Sequence, residues 1–361
     1  MARSFSGRIF FANGIPAQGV QVHIFDKDDP DKADDDLTIE PGISDSKGYF
    51  NVRYEPQRYI DFKEIEIKVP RVMPTDWFIT SRRLRVPDIT DIYLPYLQFK
   101  YEFNGRTRIH NVPLNPYIKE FRLPENIIVD FVPSIHGFKF DNSFPGYPLP
   151  FSIPNLPHIP NIPDSYGLCG GMSASAYDFA LAGRNIPPDT EPPAQGSLLH
   201  KYLYRRQIDT FGPYGKYIIK FLEWMKFPDD TIHGTQKLTY DEFEKIQLKL
   251  DDKNLVILGL IYVKWSESRE FWNNHQVLAY KYSESHSNEI IVNIYDPNFQ
   301  ERDDIVIHAE RIPVGRIIAS NSSKITVFGL KCMQKIGGQD YKEIHGFFEI
   351  PYVFVEPPPD L

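Results

Sequence analysis

Three residues far apart in the chain carry side chains that could do chemistry together. Cys169 stands in SYGLCGGMSASAYDFALAGR, residues 165–184, where a glycine-rich turn meets an amphipathic run. His275 opens the strand-like NNHQVLAYKY, and Asp296 closes the next one in NIYDPN. A thiol at a helix N-terminus faces unpaired backbone N–H groups and the positive end of the helix dipole, which favours thiolate over thiol. A histidine on a neighbouring strand can accept and return the proton. An aspartate one hairpin further on can hold the imidazole in one tautomer and orientation. The chemistry of such a trio is attack by sulfur on a carbonyl carbon. Taken singly, each residue has a plainer reading. Free cysteine is among the most buried residue types, a strand histidine is often only a satisfied core group, and DPN is a turn sequence. Cys332, in VFGLKCMQ, reads as a core residue.

The elements that must position this trio follow from periodicity. Residues 170–182 predict a helix ended by Gly183. GSLLHKYLYRRQIDTF and GKYIIKFLEWMKF predict two more helices. TYDEFEKIQLKLDD predicts a fourth, with Thr239 as N-cap and Glu242 in capping-box spacing. The strand-like LVILGLIYV, HQVLAYKYS, EIIVNIYDP, KITVFGLKCM and GFFEIPYVFV follow. Helices first, then a set of antiparallel strands, is an α+β pattern. A strand pair of this length brings Asp296 back beside His275.

This order resembles the papain-like cysteine peptidase superfamily, and more closely its bacteriocin-processing, double-glycine-cleaving branch. The matching residues are Cys169-Gly170 at a helix start, His275-Gln276-Val277-Leu278 opening a strand, and Asp296-Pro297 ending the next, over roughly residues 130–355. The resemblance implies a peptide or protein substrate, a Cys169–His275–Asp296 triad and no cofactor or metal. The family usually has a Gln about six residues before the cysteine, whose amide helps the Cys169 N–H bind the oxyanion. This chain has Pro163 there, followed by Asp164 and Ser165. A carboxylate repels an oxyanion, so the donors left to stand in are Asn142, Asn161 and the Ser165 hydroxyl. Loss of one such donor costs ~10²–10³ in rate. The fold is equally compatible with a catalytically inactive binding protein, and the triad with an amidase or a transglutaminase-like acyl transferase.

Upstream, the chain changes character. Residues 5–125 read as short alternating strands punctuated by turns, the pattern of a β-sandwich. Gly7, Pro16, Gly19, Val20, Val22, Asp45, Gly48 and Phe50 resemble the opening of transthyretin-like and carboxypeptidase-regulatory-like sandwich domains, with Ser44 where Thr is usual. That resemblance implies an accessory domain that binds a partner. Residues 129–164 are rich in proline and lack helical periodicity, which predicts an extended, polyproline-like strap. The expected organisation is therefore a sandwich over 1–128 and a papain-like α+β domain over 129–361, strap included.

Bulk properties narrow the remaining classes. The 361 residues are 42% hydrophobic and 14% aromatic, enough for sizeable cores, and carry a net charge of −8. No basic stripe that could neutralise phosphates is present, which argues against nucleic acid. Two cysteines make no disulfide framework. The longest apolar run, residues 254–263, is about half a membrane span. MARSFSGRIFFANG lacks the apolar core of a secretory signal, so a cytoplasmic or non-classically exported protein is expected. DKDDPDKADDD, residues 26–36, lacks the spaced glycine and terminal Glu of a calcium loop and reads as a solvated charged segment. The histidines show no zinc-like spacing.

Overall fold

Strand alternation builds the N-terminal part of the protein. In the computed structural model, which describes residues 2–27, 33–56, 62–72, 77–87, 95–145, 165–285, 288–318 and 324–361, Phe50, Val52 and Tyr54 point inward along Tyr49–Tyr54 while their neighbours face out. The chain divides into two units, Met1–Asn126 and Ile127–Leu361. This boundary lies two residues before the one expected at 128.

The first unit contains β1 (Arg3–Phe10), β2 (Gln21–Asp26), β3 (Asp35–Asp36), β4 (Thr38–Glu40), β5 (Gly42–Ile43), β6 (Tyr49–Tyr54), β7 (Phe62–Val72), β8 (Trp77–Pro87), β9 (Pro95–Phe103), β10 (Arg106–Pro113) and β11 (Glu120–Arg122). One sheet runs β11-β1-β6-β4; a second runs β10-β9-β2-β3, with β5 also on β2. Phe5 and Ile9 from one sheet share a core with Val22, Ile24, Leu97 and Phe99 from the other. The turn before β6 shows its sequence logic. Asp45 accepts the N–H groups of Lys47 and Tyr49, and Gly48 adopts φ +79° where a Cβ would lie 2.3 Å from the Ile9 carbonyl oxygen. Strands β7 and β8 form a separate antiparallel hairpin, described here by its backbone. In the acidic stretch, residues 28–32 lie outside the described residues. Asp34 accepts the Tyr96 hydroxyl at 2.6 Å.

The second unit contains α1 (Pro133–His136), the short pair β12 (Phe144–Pro145) and β13 (Ser165–Tyr166), then α2 (Cys169–Leu181), α3 (Leu198–Phe211), α4 (Lys216–Trp224) and α5 (Thr235–Asp251). It continues with β14 (Val256–Ile261), β15 (His275–Glu284), β16 (Glu289–Tyr295), β17 (Ile305–Ile318), β18 (Lys324–Ile336), β19 (Gln339–Ile344) and β20 (Gly346–Ile350). These seven strands form one antiparallel sheet in the order β19-β18-β17-β16-β15-β14-β20. Phe243, Ile246 and Leu250 of α5 share a core with Leu258, Leu260, Val277 and Ile294 of the sheet. Cys332 is buried in that core, and burial raises its thiol pKa.

Several expectations are corrected here. Helix α2 is not amphipathic: all its residues except Cys169 and Ala180 are buried. Small residues let neighbours close on it, and a Cβ at Gly171 would lie 2.2 Å from the Leu203 carbonyl oxygen of α3. Thr239 is not an N-cap, because α5 starts at Thr235 after Gly234. Its buried hydroxyl donates back to the Thr235 carbonyl and accepts the Phe347 N–H, as interior threonines do. Glu242 accepts the N–H of Glu349. The strap is not wholly extended, since Pro133–His136 makes one helical turn. Among the described residues, no helix is long and apolar enough to cross a membrane.

Candidate active site

Helix α2 begins at Cys169 because the residues around it permit close approach. Its N-cap, Leu168, supplies no side-chain cap, which leaves the Cys169 and Gly170 N–H groups uncapped at the start of the helix. Gly170 faces the Gln276 side chain so closely that an added Cβ would lie 1.8 Å from Oε1. The Gly171 N–H donates to Gln207 Oε1 at 2.9 Å. These glycines seat the helix end against β15 and α3. Cys169 itself remains partly exposed.

His275 is the first residue of β15, and Asp296 directly follows β16. The two strands pair antiparallel, with Leu278 opposite Tyr295. The hairpin therefore returns Asp296 beside His275, and His275 Nε2 lies 2.6 Å from Asp296 Oδ1. The Cys169 thiol lines the same cleft, near enough to the imidazole to raise its pKa. With Nε2 committed to the carboxylate, Nδ1 is the ring nitrogen left for sulfur. The three segments thus converge on one cleft of about 240 Å³, lined also by Asn142, Trp272, Asn274, Asn298 and Lys342.

Asp296 is buried and fully served. Oδ1 accepts the His275 contact and the Asn298 N–H at 2.9 Å. Oδ2 accepts the Gln334 amide at 2.6 Å. Gln334 is held in turn by the Tyr262 hydroxyl, and the Tyr262 ring stacks on the imidazole at 6.2 Å between centroids. Burial opposes charge on both members of the pair. The partners outweigh burial: the Asp296 pKa lies below the ordinary carboxylate range, lowered mainly by His275. Burial alone would lower the His275 pKa, but the adjacent negative charges of Asp296 and Cys169 push it up to about 10. The imidazole is therefore held as imidazolium across neutral pH.

Of the expected oxyanion donors, Asn142 lies at the site. Its Oδ1 accepts the Leu168 N–H at 2.6 Å, which clamps the amide beside the start of α2. Its Nδ2 donates to Asn298 Oδ1 at 2.9 Å, so one of its two amide hydrogens is not engaged by a described residue. Gly167 is required by this contact, as a Cβ there would lie 2.6 Å from Asn142 Nδ2. Asn161 lies outside the described residues. Ser165 pairs with Pro145 through the backbone, and its side chain also lies outside the description. Among the described residues no cluster of three metal-ligating side chains occurs.

Sequence reasoning passed over Tyr262, Asn298, Gln334 and Lys342. Gln334 had a visible signal, being a polar residue at an inward position that follows Leu330 and Cys332 along β18. Asn298 lies only two residues beyond Asp296.

No family model matches the chain, and no curated protein matches it significantly. Among solved structures, a 9R-lipoxygenase from Cyanothece PCC8801 aligns over 93% of this chain and 42% of its own length, at 12% identity. The TM-score is 0.19, too low to show a shared fold.

Proposed function

We propose that the chain is a thiol-dependent hydrolase, a cysteine peptidase using Cys169, His275 and Asp296 in a papain-like α+β domain. The transthyretin-like sandwich before it would serve as an accessory module that binds a partner. One observation carries this reading: a partly exposed thiol at a helix start lines the same cleft as a buried imidazole held by a buried carboxylate.

The sulfur attacks the substrate carbonyl carbon as thiolate, leaving its proton on His275. The developing oxyanion takes hydrogen bonds from the Cys169 N–H and the uncommitted Asn142 amide hydrogen. As the tetrahedral intermediate collapses, the C–N bond breaks and His275 gives its proton to the leaving amine. His275 then takes a proton from water, whose oxygen attacks the thioester. The C–S bond breaks, the sulfur leaves as thiolate with the proton kept on His275, and the carboxylic acid departs. Asp296 stays ionised and steadies the imidazolium throughout. These steps need no cofactor.

Selective alkylation tests the reading. Iodoacetamide at mildly acidic pH should modify Cys169 far faster than glutathione, and His275→Ala should abolish the advantage. Buried Cys332 provides an internal reference. Labelling of Cys169 no faster than free thiol would sink the hydrolase proposal and leave a binding protein. An amine acceptor added during turnover distinguishes acyl transfer from hydrolysis.

A further inference from the structure

Among the described residues, one charged side chain besides His275 and Asp296 lines the Cys169 cleft. Lys342 projects from β19, one of the two edge strands of the seven-stranded sheet. Register places it opposite Gln334, the residue that holds Asp296. Its ammonium sits 4.2 Å from the centre of the Tyr262 ring, the ring that stacks on His275. Cation and imidazole therefore share one aromatic neighbour.

The rest of the lining leaves this cation without a carboxylate partner. Among the described residues no carboxylate pairs with Lys342 within 4.0 Å. Asp296 spends both oxygens on His275, Asn298 and Gln334. Two of the lining amides are engaged elsewhere: Asn274 accepts the Tyr262 N–H, and Asn273 donates to Glu270. Burial lowers the Lys342 pKa, against the opposing pull of Glu270, Asp296 and Glu267, and none of these three carboxylates lies within 4.0 Å of its ammonium. A half-buried cation in a cleft, with its hydrogen-bond donors unspent, suits an incoming anion better than a neutral chain.

We infer that Lys342 is a specificity-determining residue that binds a substrate carboxylate close to the scissile bond. The inference rests on the hydrolase reading and adds the substrate class, an acidic side chain or a chain terminus beside the amide to be cleaved. A carboxylate in this place would orient the carbonyl over Cys169 by a contact independent of the triad.

Two alkylating agents that differ in charge provide the test on the full chain. Sulfur displaces iodide from both iodoacetate and iodoacetamide, but only iodoacetate carries a carboxylate. The ratio of their rates at Cys169, divided by the same ratio for glutathione, should exceed one. It should fall about tenfold in Lys342→Met, the loss expected for one charge-assisted contact, and recover in Lys342→Arg. An unchanged ratio in Lys342→Met, or both rates falling together, overturns the inference. The His275→Ala experiment with iodoacetamide judges the hydrolase reading separately. Protection of Cys169 by N-acetylglutamate amide or by N-acetylalanine, lost in Lys342→Met, would tell side chain from terminus. Protection by neither also overturns the inference.

Discussion

Charge placement around His275 makes its titration the most direct residue-level test. A histidine this deeply buried would normally lose its proton more easily than in water. Here Asp296 and Cys169 reverse that, and the pKa rises to about 10. Because the folded pKa lies above the unfolded one, the stabilising contribution is complete below about pH 6.5 and is lost as pH rises through 10. The alkaline limb of the Cys169 alkylation profile should accordingly lie near pH 10. Asp296→Asn removes the larger of the two raising charges and should shift that limb to lower pH. A limb that stays in place would mean that Asp296 does not control the imidazole. Asn142 gives a second prediction at this scale. If its amide stabilises the oxyanion, Asn142→Ala should lower kcat by ~10²–10³ with little change in KM. A loss confined to KM would assign Asn142 to ground-state binding.

At the scale of elements, helix α2 must be both tight and correctly aimed. Gly170→Ala would raise helix propensity by about 0.5–1 kcal/mol. The added methyl would collide with Gln276 and Thr210 Oγ1, and overpacking costs ~1–3 kcal/mol. The clash should win, giving net destabilisation in urea and slower Cys169 alkylation, since Gln276 adjoins His275. Equal or greater stability would show that Gln276 moves aside freely. At the far end of the helix, buried Asp178 takes Arg206 Nε at 2.6 Å and the hydroxyls of Tyr202 and Tyr352. It also accepts the Val355 N–H, tying the segment after β20 to α2. Burial pushes its carboxyl up to about 6 despite Arg206. Asp178→Ala would leave a buried guanidinium short of its partner and should cost ~3–5 kcal/mol, measured by urea unfolding.

The same elements show what could be read from residue order. His275 and Asp296 were readable because each borders an apolar, strand-like run, alternating in β16 and continuously buried at the start of β15. Strand β17 was not, because Pro313 and Gly315 interrupt its alternation. The pairing with β18 shifts register there, a bulge that accommodates proline. Strand β19, QDYKEI, was not readable either, because its mostly exposed polar residues show no apolar alternation. Helix α2 looked amphipathic because serine and glycine count as polar in a pattern. In the fold they are the small residues that let Leu203 and Gln276 approach. Thr239 had the right neighbours for a cap, but tertiary contact with Phe347 placed it inside a helix.

For the whole molecule, the two units differ in what they hold. The first has its own core, drawn from residues between Phe5 and Leu123. The second has another, drawn from residues between Phe243 and Phe347. Every described residue lining the Cys169 cleft, from Asn142 to Lys342, belongs to the second unit. A unit with a separate core and a complete set of site residues should fold and react by itself. Expressed alone, residues 127–361 should unfold cooperatively, and iodoacetamide should alkylate Cys169 within about twofold of the full-chain rate. That margin is under 0.5 kcal/mol, smaller than the loss of any single site contact. Alkylation rates and circular dichroism on the two proteins decide the matter. A fragment that folds, yet whose Cys169 reacts like glutathione, would mean that residues before 127 supply a group to the chemistry.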